Sequence, residues 1–326
     1  MSGPADVALV LIGRNEGARL VAALEAARGQ AARLVYVDSG STDGSMAAAT
    51  AAGAEVVTLD VSVPFTAARA RNAGFARLEE TGGAPACVQF IDGDCAIVPG
   101  WTGIARARLA ADPGLGLVTG WRAEVAPEAS VYNRLCQWEW RRPAGPIAAC
   151  GGDMMVRAEA FRLIGGFDPA VIAAEDDEFC QRLAKAGWRL ERLAAEMTRH
   201  DAAMTRLGQW WRRAERTGHG FAQVGRLHPG YFATERRRVK VYALALPVAI
   251  LGSVAVSPWL ALLPAMAYPA SWASAARGLR RDGVPRGDAR AMAVLLTLSK
   301  FPNLIGMVRY HLRRLRRAPM RLIEYK

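Results

Sequence analysis

Cysteine pairs are missing from this sequence, and their absence excludes two kinds of site. The 326 residues include five scattered cysteines, and no two of them stand as Cys-x-x-Cys. Neither a zinc site nor a disulfide framework is therefore expected, and a reducing compartment suits the thiols. The five are Cys87, Cys95, Cys136, Cys150 and Cys180.

The N-terminus lacks the features of a secretion signal. Residues 1–6 contain no basic side chain, and the apolar run that follows is only six residues long. A signal peptide needs a basic segment and a longer apolar core. We therefore expect the domain that begins here to stay in the cytoplasm.

Acidic residues are scarce in the last third of the chain. Residues 226–326 contain 18 lysines and arginines but four acids, whereas residues 1–225 contain 24 and 26. The net charge of +12 thus belongs to the C-terminal part. We predict a near-neutral globular domain in residues 1–225 and a separate basic region in residues 226–326. Such a basic block implies an anionic partner, either nucleic acid or a membrane surface.

Charge is absent altogether from residues 241–276. One helix of this length would span about 54 Å, against about 30 Å of hydrocarbon. Two shorter helices that turn near Ser257-Pro258 fit better, and this hairpin either spans the membrane or re-enters it. Basic clusters flank both of its ends, so the positive-inside rule places both ends on the cytoplasmic side.

A third apolar pattern, in residues 289–317, predicts a helix that lies in the interface of the same leaflet. The basic cluster at its end would then bind anionic lipid. Because the basic residues flank lipid-compatible stretches and no nucleic-acid motif is visible, nucleic acid is not expected as a partner.

The first hundred residues alternate between apolar runs and helical patterns. Strands are predicted at residues 7–12, 33–37, 54–59 and 87–91, with amphipathic segments between them. Continuous apolar runs are typical of strands that are covered on both faces. The alternation predicts an α/β fold with parallel strand order, in which ligands bind at the carboxyl ends of the strands.

Two carboxylates follow the fourth predicted strand, in Asp92-Gly93-Asp94. Hard oxygen ligands at a sheet edge suit Mg²⁺ or Mn²⁺ that carries a diphosphate. The alternative is an acidic turn, since Asp and Gly both favour turns.

Other polar side chains follow the earlier strands. Asn15 and Glu16 come after the first strand, and they either contact a ligand or cap a helix. Asp38 closes the second strand, where an acid can accept bonds from a nucleobase or ribose, or can form a turn. Arg71 and Asn72 lie on a predicted helix and either face a diphosphate or form a solvated surface.

Four short motifs stand in a fixed order along this half of the chain. They are Arg14-Asn15-Glu16, residues 37–44, Ala70-Arg71-Asn72-x-Gly74 and residues 90–94. Together they resemble the nucleotide-sugar half of glycosyltransferase family 2, whose members have a GT-A fold.

This resemblance implies a GT-A mixed α/β sheet, followed here by C-terminal hydrophobic helices. Residues 1–100 would form the nucleotide-sugar half and residues 101–225 the acceptor half. The donor would be a nucleoside-diphosphate sugar, with Glu16 and Asp38 on the nucleoside. Asp94 would hold Mg²⁺ or Mn²⁺ on the diphosphate, and Asp92 would serve the metal, the ribose or a metal-bound water.

The second half offers three further candidate sites. Gly151 and Gly152 either permit close approach to a ligand or form a plain turn. Four acids at residues 175–178 either suit a helix N-terminus or tune a general base. This stretch resembles the acidic segment of the same family, which implies Asp176 as the catalytic base and Arg182 on the leaving diphosphate. His200 is a candidate third metal ligand or a polar surface residue.

The combined hypothesis is an inverting, metal-dependent glycosyltransferase on the cytoplasmic face of a bacterial inner membrane. Its acceptor would be a lipid-linked or polysaccharide hydroxyl, and its C-terminal region would contact the membrane. Two alternatives stay open: a nucleotidyltransferase on a similar fold, and an inactive membrane scaffold that binds nucleotide sugars.

Overall fold

The computed structural model describes residues 5–83 and 85–320. The expectation about the N-terminus rests partly on residues 1–4, outside the described residues. The chain forms two compact units. One comprises Met1–Ala126 with Gln137–Ala202, and the other comprises Pro127–Cys136 with Ala203–Lys326. The predicted division after residue 225 stays a prediction.

Strands dominate the first unit and alternate with helices in its first half. The strands are β1 Val7–Gly13, β2 Arg33–Asp38, β3 Glu55–Thr58, β4 Cys87–Asp92, β5 Cys95–Ile97, β6 Leu115–Glu124, β7 Gly145–Pro146, β8 Met154–Arg157 and β9 Arg189–His200. The helices up to β9 are α1 Ala18–Ala27, α2 Ser45–Ala51, α3 Ala67–Glu80, α4 Trp101–Ala111, α5 Val131–Trp140, α6 Ala158–Leu163 and α7 Glu175–Lys185. All four strands predicted in the first hundred residues are confirmed.

The strands form one mixed sheet in the order β3-β2-β1-β4-β8-β6-β9-β5, with β7 added to β9. The first four run parallel, as the apolar runs predict. Strand β8 then pairs antiparallel with both β4 and β6, and β5 pairs antiparallel with β9. The predicted mixed α/β sheet is therefore confirmed, and the carboxyl ends of β1, β2 and β4 meet at one edge.

The sheet is covered on both faces. Alternate residues of β1 belong to two separate hydrophobic clusters. Val10 lies in the cluster that contains Phe90, and Leu9 lies in the cluster that contains Tyr36. Helix α3 approaches β1 closely at Gly74, where a β-carbon would lie 2.3 Å from a methyl carbon of Val10. The glycine thus fixes the height of α3 above the strands, and with it the position of Arg71 on the same helix.

The second unit is helical. Its later helices are α8 Leu207–Leu227, α9 Ala233–Lys240, α10 Leu246–Val256, α11 Leu262–Ala265, α12 Ala267–Arg281, α13 Arg286–Leu298 and α14 Lys300–Leu315. Helix α10 ends directly before Ser257-Pro258, where the turn is predicted. Glycines allow α8 and α14 to cross closely, since a β-carbon at Gly218 would lie 2.0 Å from the carbonyl oxygen of Asn303.

Two helical segments of this unit are long and apolar enough to cross a membrane. They are Ala233–Val256, of whose apolar window 6% is buried, and Arg286–Leu315, of whose apolar window 44% is buried. A buried core helix meets the same test of length and composition, so the predicted hairpin and interfacial helix stay predictions.

Candidate functional site

The acidic candidates lie where β4 ends and turns into β5. Asp92 is the last residue of β4, and Asp94 directly precedes β5. Between them, the backbone N–H of Gly93 donates to the carbonyl oxygen of Ile12 at 2.7 Å, which holds the turn against β1. Strand β5 pairs with β9 so that Cys95 lies opposite His200. This register brings Asp94 and His200 together across 106 positions of sequence.

Asp94 and His200 form a buried pair. The Nε2 atom of His200 lies 3.2 Å from Oδ2 of Asp94, and the two residues are 5% and 8% exposed, in that order. Burial is the main cause that lowers the pKa of His200 below its ordinary value, although the carboxylate of Glu124 opposes it. The imidazole is therefore neutral near pH 7, which is the form that binds metals.

The ring of His200 lies between two carboxylates. Its Nδ1 atom lies 3.8 Å from Oε2 of Glu124, which is long for a hydrogen bond, whereas its Nε2 atom lies within hydrogen-bonding distance of Asp94. The tautomer protonated at Nε2 donates to Asp94, and the tautomer protonated at Nδ1 offers a lone pair of Nε2 beside that carboxylate. The second tautomer can bind a cation together with Asp94, and a carboxylate behind a metal-bound histidine is a recurrent arrangement.

Asp94, Cys95 and His200 bring three candidate ligand atoms within 4.8 Å of one another. Burial raises the pKa of the Cys95 thiol well above its ordinary value. The neutral thiol is a poor ligand. Carboxylate oxygen and imidazole nitrogen remain, a donor set that fits Mn²⁺ or Mg²⁺ with open positions for other oxygens.

Asp92 lies between two guanidinium groups. Its Oδ1 accepts from Arg71 at 2.8 Å, and its Oδ2 lies 3.5 Å from Arg122. Asp92, Cys95 and Asp153 form a second group of close candidate ligands, but Asp153 is itself paired with Arg122 at 2.9 Å. The two positive charges make this group the poorer cation site. The geometry therefore favours Asp94 over Asp92 for a metal, and metal binding by Asp92 stays a prediction.

The first two loops hold each other. The backbone N–H of Asn15 donates to Ser41 at 2.9 Å, and Oδ1 of Asn15 accepts from the N–H of Thr42 at 2.7 Å. Asp38 is fully buried and accepts from the N–H groups of Gly40 and Ser41. Asn15 and Asp38 thus shape the loops that the sequence assigns to the nucleoside, and contact with a nucleoside stays a prediction.

Glu16 lies beside the acidic turn. Its carboxylate pairs with Arg19 at 2.9 Å, and a β-carbon placed at Gly93 would lie 3.4 Å from its Cγ. The first loop therefore reaches the turn between Asp92 and Asp94, as strands that end at one sheet edge lead us to expect.

Arg71 and Asn72 have partners within the protein. Arg71 is 2% exposed and pairs with Asp92 and with Glu175, the latter at 2.9 Å. Asn72 uses both ends of its amide on the backbone of Phe167, at 2.8 and 2.9 Å. Arg71 is thus no solvated surface residue, and the diphosphate contacts of both side chains stay predictions.

The two glycines before β8 have different surroundings. A β-carbon at Gly152 would lie 2.1 Å from Nη2 of Arg71, whereas at Gly151 the nearest atoms, on Arg122 and Asp176, are 3.9 Å away. The sequence predicts that a ligand comes close to this pair. At Gly152, however, the space left by the missing side chain is filled by Arg71 of the protein itself.

Gly152→Ala is expected to lower the free energy of unfolding by about 1–3 kcal/mol. The added methyl overlaps a guanidinium that Asp92 and Glu175 hold in place, so Arg71 cannot move away freely. Thermal unfolding measures the change. Gly151→Ala is the matched control, with an expected change within about 0.5 kcal/mol. Equal losses in the two variants, or no loss in Gly152→Ala, would contradict this account.

Asp176 lies in the first turn of α7, which carries all four acids of residues 175–178. It is half-buried, and its Oδ1 accepts from the N–H of Asp177 at 2.9 Å. Burial first, then the charges of Glu175 and Asp177, raise the pKa of Asp176 well above its ordinary value, and Arg71 opposes them. A carboxylate of raised pKa is suited to take a proton from a hydroxyl.

Arg182 lies two turns further along α7. Its guanidinium pairs with Glu178 at 2.8 Å and donates to the carbonyl oxygen of Ile164 at 2.8 Å. These contacts tie α7 to the segment after α6. A role of Arg182 on a leaving diphosphate stays a prediction.

The structure adds three charged residues that the sequence patterns do not single out: Arg122, Glu124 and Asp153. Arg122 and Glu124 stand at the end of β6, and Asp153 directly precedes β8. Asp153 accepts from Thr198 at 2.6 Å and from the N–H of Asp92 at 3.1 Å. The available signals are weak: an acid directly after Gly151-Gly152, and an Arg-x-Glu spacing that places both side chains on one face of a strand.

Two family models match the sequence. The model described as Glycosyl transferase family 2 matches residues 9–161, and the model described as Glycosyl transferase family group 2 matches residues 120–297. The two matches overlap at residues 120–161. No curated protein sequence matches the chain at a significant level.

Several solved structures are similar to this chain to different degrees. The mannosyltransferase PcManGT from Pyrobaculum calidifontis, in complex with GDP-Man and Mn²⁺, has a TM-score of 0.58 at 19% identity, over 93% of this chain and 89% of its own. TarS 1–349 from S. aureus has a TM-score of 0.49 at 13% identity, over 68% of this chain. This chain covers 64% of that structure and 39% of a further TarS structure, less than two thirds of either.

Glucosyl-3-phosphoglycerate synthase from Mycobacterium tuberculosis, in complex with Mn²⁺, UDP and glucosyl-3-phosphoglycerate, has a TM-score of 0.49 at 18% identity. It matches over 68% of this chain and 79% of its own. At 19% identity, the likeness to PcManGT establishes the fold, which confirms the predicted GT-A sheet, and leaves substrates open. Because the family group 2 model spans more than half of the chain, the protein belongs to glycosyl transferase family group 2.

Proposed function

We propose that the protein transfers a sugar from a nucleoside-diphosphate sugar to an acceptor hydroxyl, with inversion at the anomeric carbon. Asp94 and His200 hold Mg²⁺ or Mn²⁺, and Asp176 is the general base. The observation that carries the proposal is the buried Asp94–His200 pair, which places a carboxylate oxygen and an imidazole nitrogen 3.2 Å apart at the sheet edge. The similar fold of PcManGT, a mannosyltransferase in complex with GDP-Man and Mn²⁺, supports it.

The reaction is one in-line displacement. Asp176 accepts the proton of the acceptor hydroxyl while that oxygen forms its bond to the anomeric carbon. The bond from this carbon to the diphosphate oxygen breaks, and its electron pair leaves with the diphosphate. A bound divalent cation supplies stabilisation of the charge that develops there.

The protein's own side chains set the protonation states that this step needs. The raised pKa of Asp176 makes its carboxylate basic enough to accept a proton. The lowered pKa of His200 keeps its imidazole neutral for metal binding. Asn15, Glu16 and Asp38 are proposed to bind the nucleoside, and Arg182 to stabilise the leaving diphosphate.

Release of nucleoside diphosphate from a panel of nucleotide sugars, with Mn²⁺ and with a chelator, tests the proposal. Metal-dependent release of nucleoside diphosphate is the expected result. Release of pyrophosphate would identify the nucleotidyltransferase instead. Binding of nucleotide sugar without turnover of any donor would identify the inactive scaffold.

We also propose that the second unit attaches the enzyme to the cytoplasmic face of a bacterial inner membrane, where a lipid-linked or polysaccharide acceptor is found. Four large apolar side chains around the end of α10 are at least 71% exposed: Leu251, Val256, Trp259 and Leu263. Exposed apolar surface of this extent favours a lipid environment.

The apolar length favours shallow insertion over a full crossing. Residues 241–256 form 16 uncharged positions before the helix ends, which is about 24 Å against about 30 Å of hydrocarbon. Basic side chains at residues 236–240 and 277–290 flank the apolar segment and suit an anionic leaflet.

The double variant Leu251→Asp/Leu263→Asp is expected to lower the fraction of protein that floats with phosphatidylglycerol vesicles by at least about tenfold. Two charges placed at lipid depth cost about 2.5–3.5 kcal/mol each, which makes this a conservative figure. Leu163→Asp, at an exposed leucine of the first unit, is the matched control. Flotation of the double variant at the wild-type level would overturn the membrane proposal.

A further inference from the structure

Five side chains of alternating charge form a continuous chain of ion pairs in the candidate site. It begins at Asp153, continues through Arg122, Asp92 and Arg71, and ends at Glu175. Three of the four links are 2.8 or 2.9 Å long, and the Arg122–Asp92 link is 3.5 Å. The chain joins strands β6 and β4 to the first turn of α7.

Arg71 connects this ion-pair chain to α7, the helix that carries the proposed general base. Its Nη2 donates to Asp92, and its Nη1 donates to Glu175, the residue directly before Asp176. Arg71 is fully enclosed, and the ring of Phe167 lies 5.3 Å from its guanidinium carbon. The absence of a β-carbon at Gly152 makes room for the guanidinium. A planar, doubly paired guanidinium in such a position holds its two acids at a fixed separation.

Resting on the proposed function, we propose that Arg71 and Glu175 are positioning residues for the transfer step. Their buried ion pair joins Asp92, at the metal-binding edge of the sheet, to the turn that carries the general base. Glu175 acts through Asp176 and Arg71 and does not itself contact the donor. Displacement of a catalytic group by about 1 Å can cost about 10²-fold in rate, so such a link has a measurable effect.

The same pair also sets the charge around Asp176. Glu175 and Asp177 face it from its own helix, and Arg71 faces it from α3. Arg122 lies on the same side, since a β-carbon at Gly151 would be 3.9 Å from both Arg122 and Asp176. Loss of the negative charge of Glu175 lowers the pKa of Asp176, and loss of the positive charge of Arg71 raises it. A general base must be deprotonated to act. The acid limb of the profile of transfer rate against pH therefore moves to lower pH when the pKa of Asp176 falls, and to higher pH when it rises.

Glu175→Gln is the first test. We expect kcat to fall by about tenfold or more, the acid limb to move to lower pH, and the affinity for nucleoside diphosphate with Mn²⁺ to stay at the wild-type value. Glu191→Gln is the matched control, because Glu191 forms the same kind of pair, with Arg108 at 2.6 Å, at the opposite end of β9 from His200. We expect it to change neither kcat nor the limb.

Arg71→Met is the second test, and its acid limb should move to higher pH, opposite to that of Glu175→Gln. If Arg71→Met does not fold, the acid limb of the pH–rate profile of Glu175→Gln still tests the proposal. An unshifted limb in Glu175→Gln would overturn the proposal, as would loss of nucleoside diphosphate affinity in that variant. Absence of transfer in the wild-type protein would instead refute the proposed function, so the two failures are distinguishable.

Discussion

Asp176→Asn is expected to lower the rate of sugar transfer by about 10³-fold and to leave donor affinity unchanged. Asn has nearly the same shape and can still accept the N–H of Asp177, but it cannot take a proton from the acceptor. General-base catalysis contributes about 10²–10⁴-fold. Steady-state transfer kinetics together with calorimetry of nucleoside diphosphate binding separate the two effects.

Asp177→Asn is the control for this result, since it removes an equal charge from the same turn. We expect its transfer rate to stay within about twofold of wild type at a pH above the acid limb, because the charge of Asp177 raises the pKa of Asp176 but takes no part in the proton transfer. Transfer by Asp176→Asn at a rate near the wild-type value would show that another group is the base.

Asp94→Asn is expected to weaken Mn²⁺-dependent binding of nucleoside diphosphate by at least about 100-fold. Removal of a second-shell partner of a metal ligand already costs about 10–100-fold in metal affinity, and loss of a ligand costs more. Calorimetric titration of the diphosphate, with and without Mn²⁺, measures the change. Binding without metal should not change.

Asp92→Asn is the comparison that decides which acid carries the metal. Asp92 lies between Arg71 and Arg122, so its loss should affect the ion-pair chain more than the metal. If Asp92→Asn abolished the effect of Mn²⁺ on diphosphate binding and Asp94→Asn retained it, the assignment of the metal to Asp94 would be wrong.

Glu124→Gln should lower the affinity for Mn²⁺ by about tenfold, because the carboxylate of Glu124 favours the tautomer of His200 that binds a metal through Nε2.

The first four strands could be predicted because each is a mostly apolar run that ends at a glycine or an aspartate. Residues 7–12, and residues 87–91 apart from Gln89, are hydrophobic on both faces of the sheet, a pattern that is typical of a buried parallel strand. Because these strands run parallel, the polar residues that follow them lie together at one edge of the sheet. The reach of Glu16 toward Gly93 follows from this geometry.

The interior of the site could not be predicted in the same way. Strand β8 pairs antiparallel with β4, and β6 pairs with β9 through irregular register shifts, so Asp153 and Arg122 reach Asp92 over long sequence separations. No local period encodes such pairings. Arg71 shows the same limit: its helix can be predicted from the sequence, but its two acidic partners come from β4 and α7.

Nuclear magnetic resonance of the anomeric proton in the transferred product tests the central claim most directly. The account predicts that the product forms in one displacement by an acceptor oxygen that Asp176 deprotonates. The new glycosidic bond must then have the configuration opposite to that of the donor. A product with the same configuration as the donor would contradict the single displacement and the role given to Asp176.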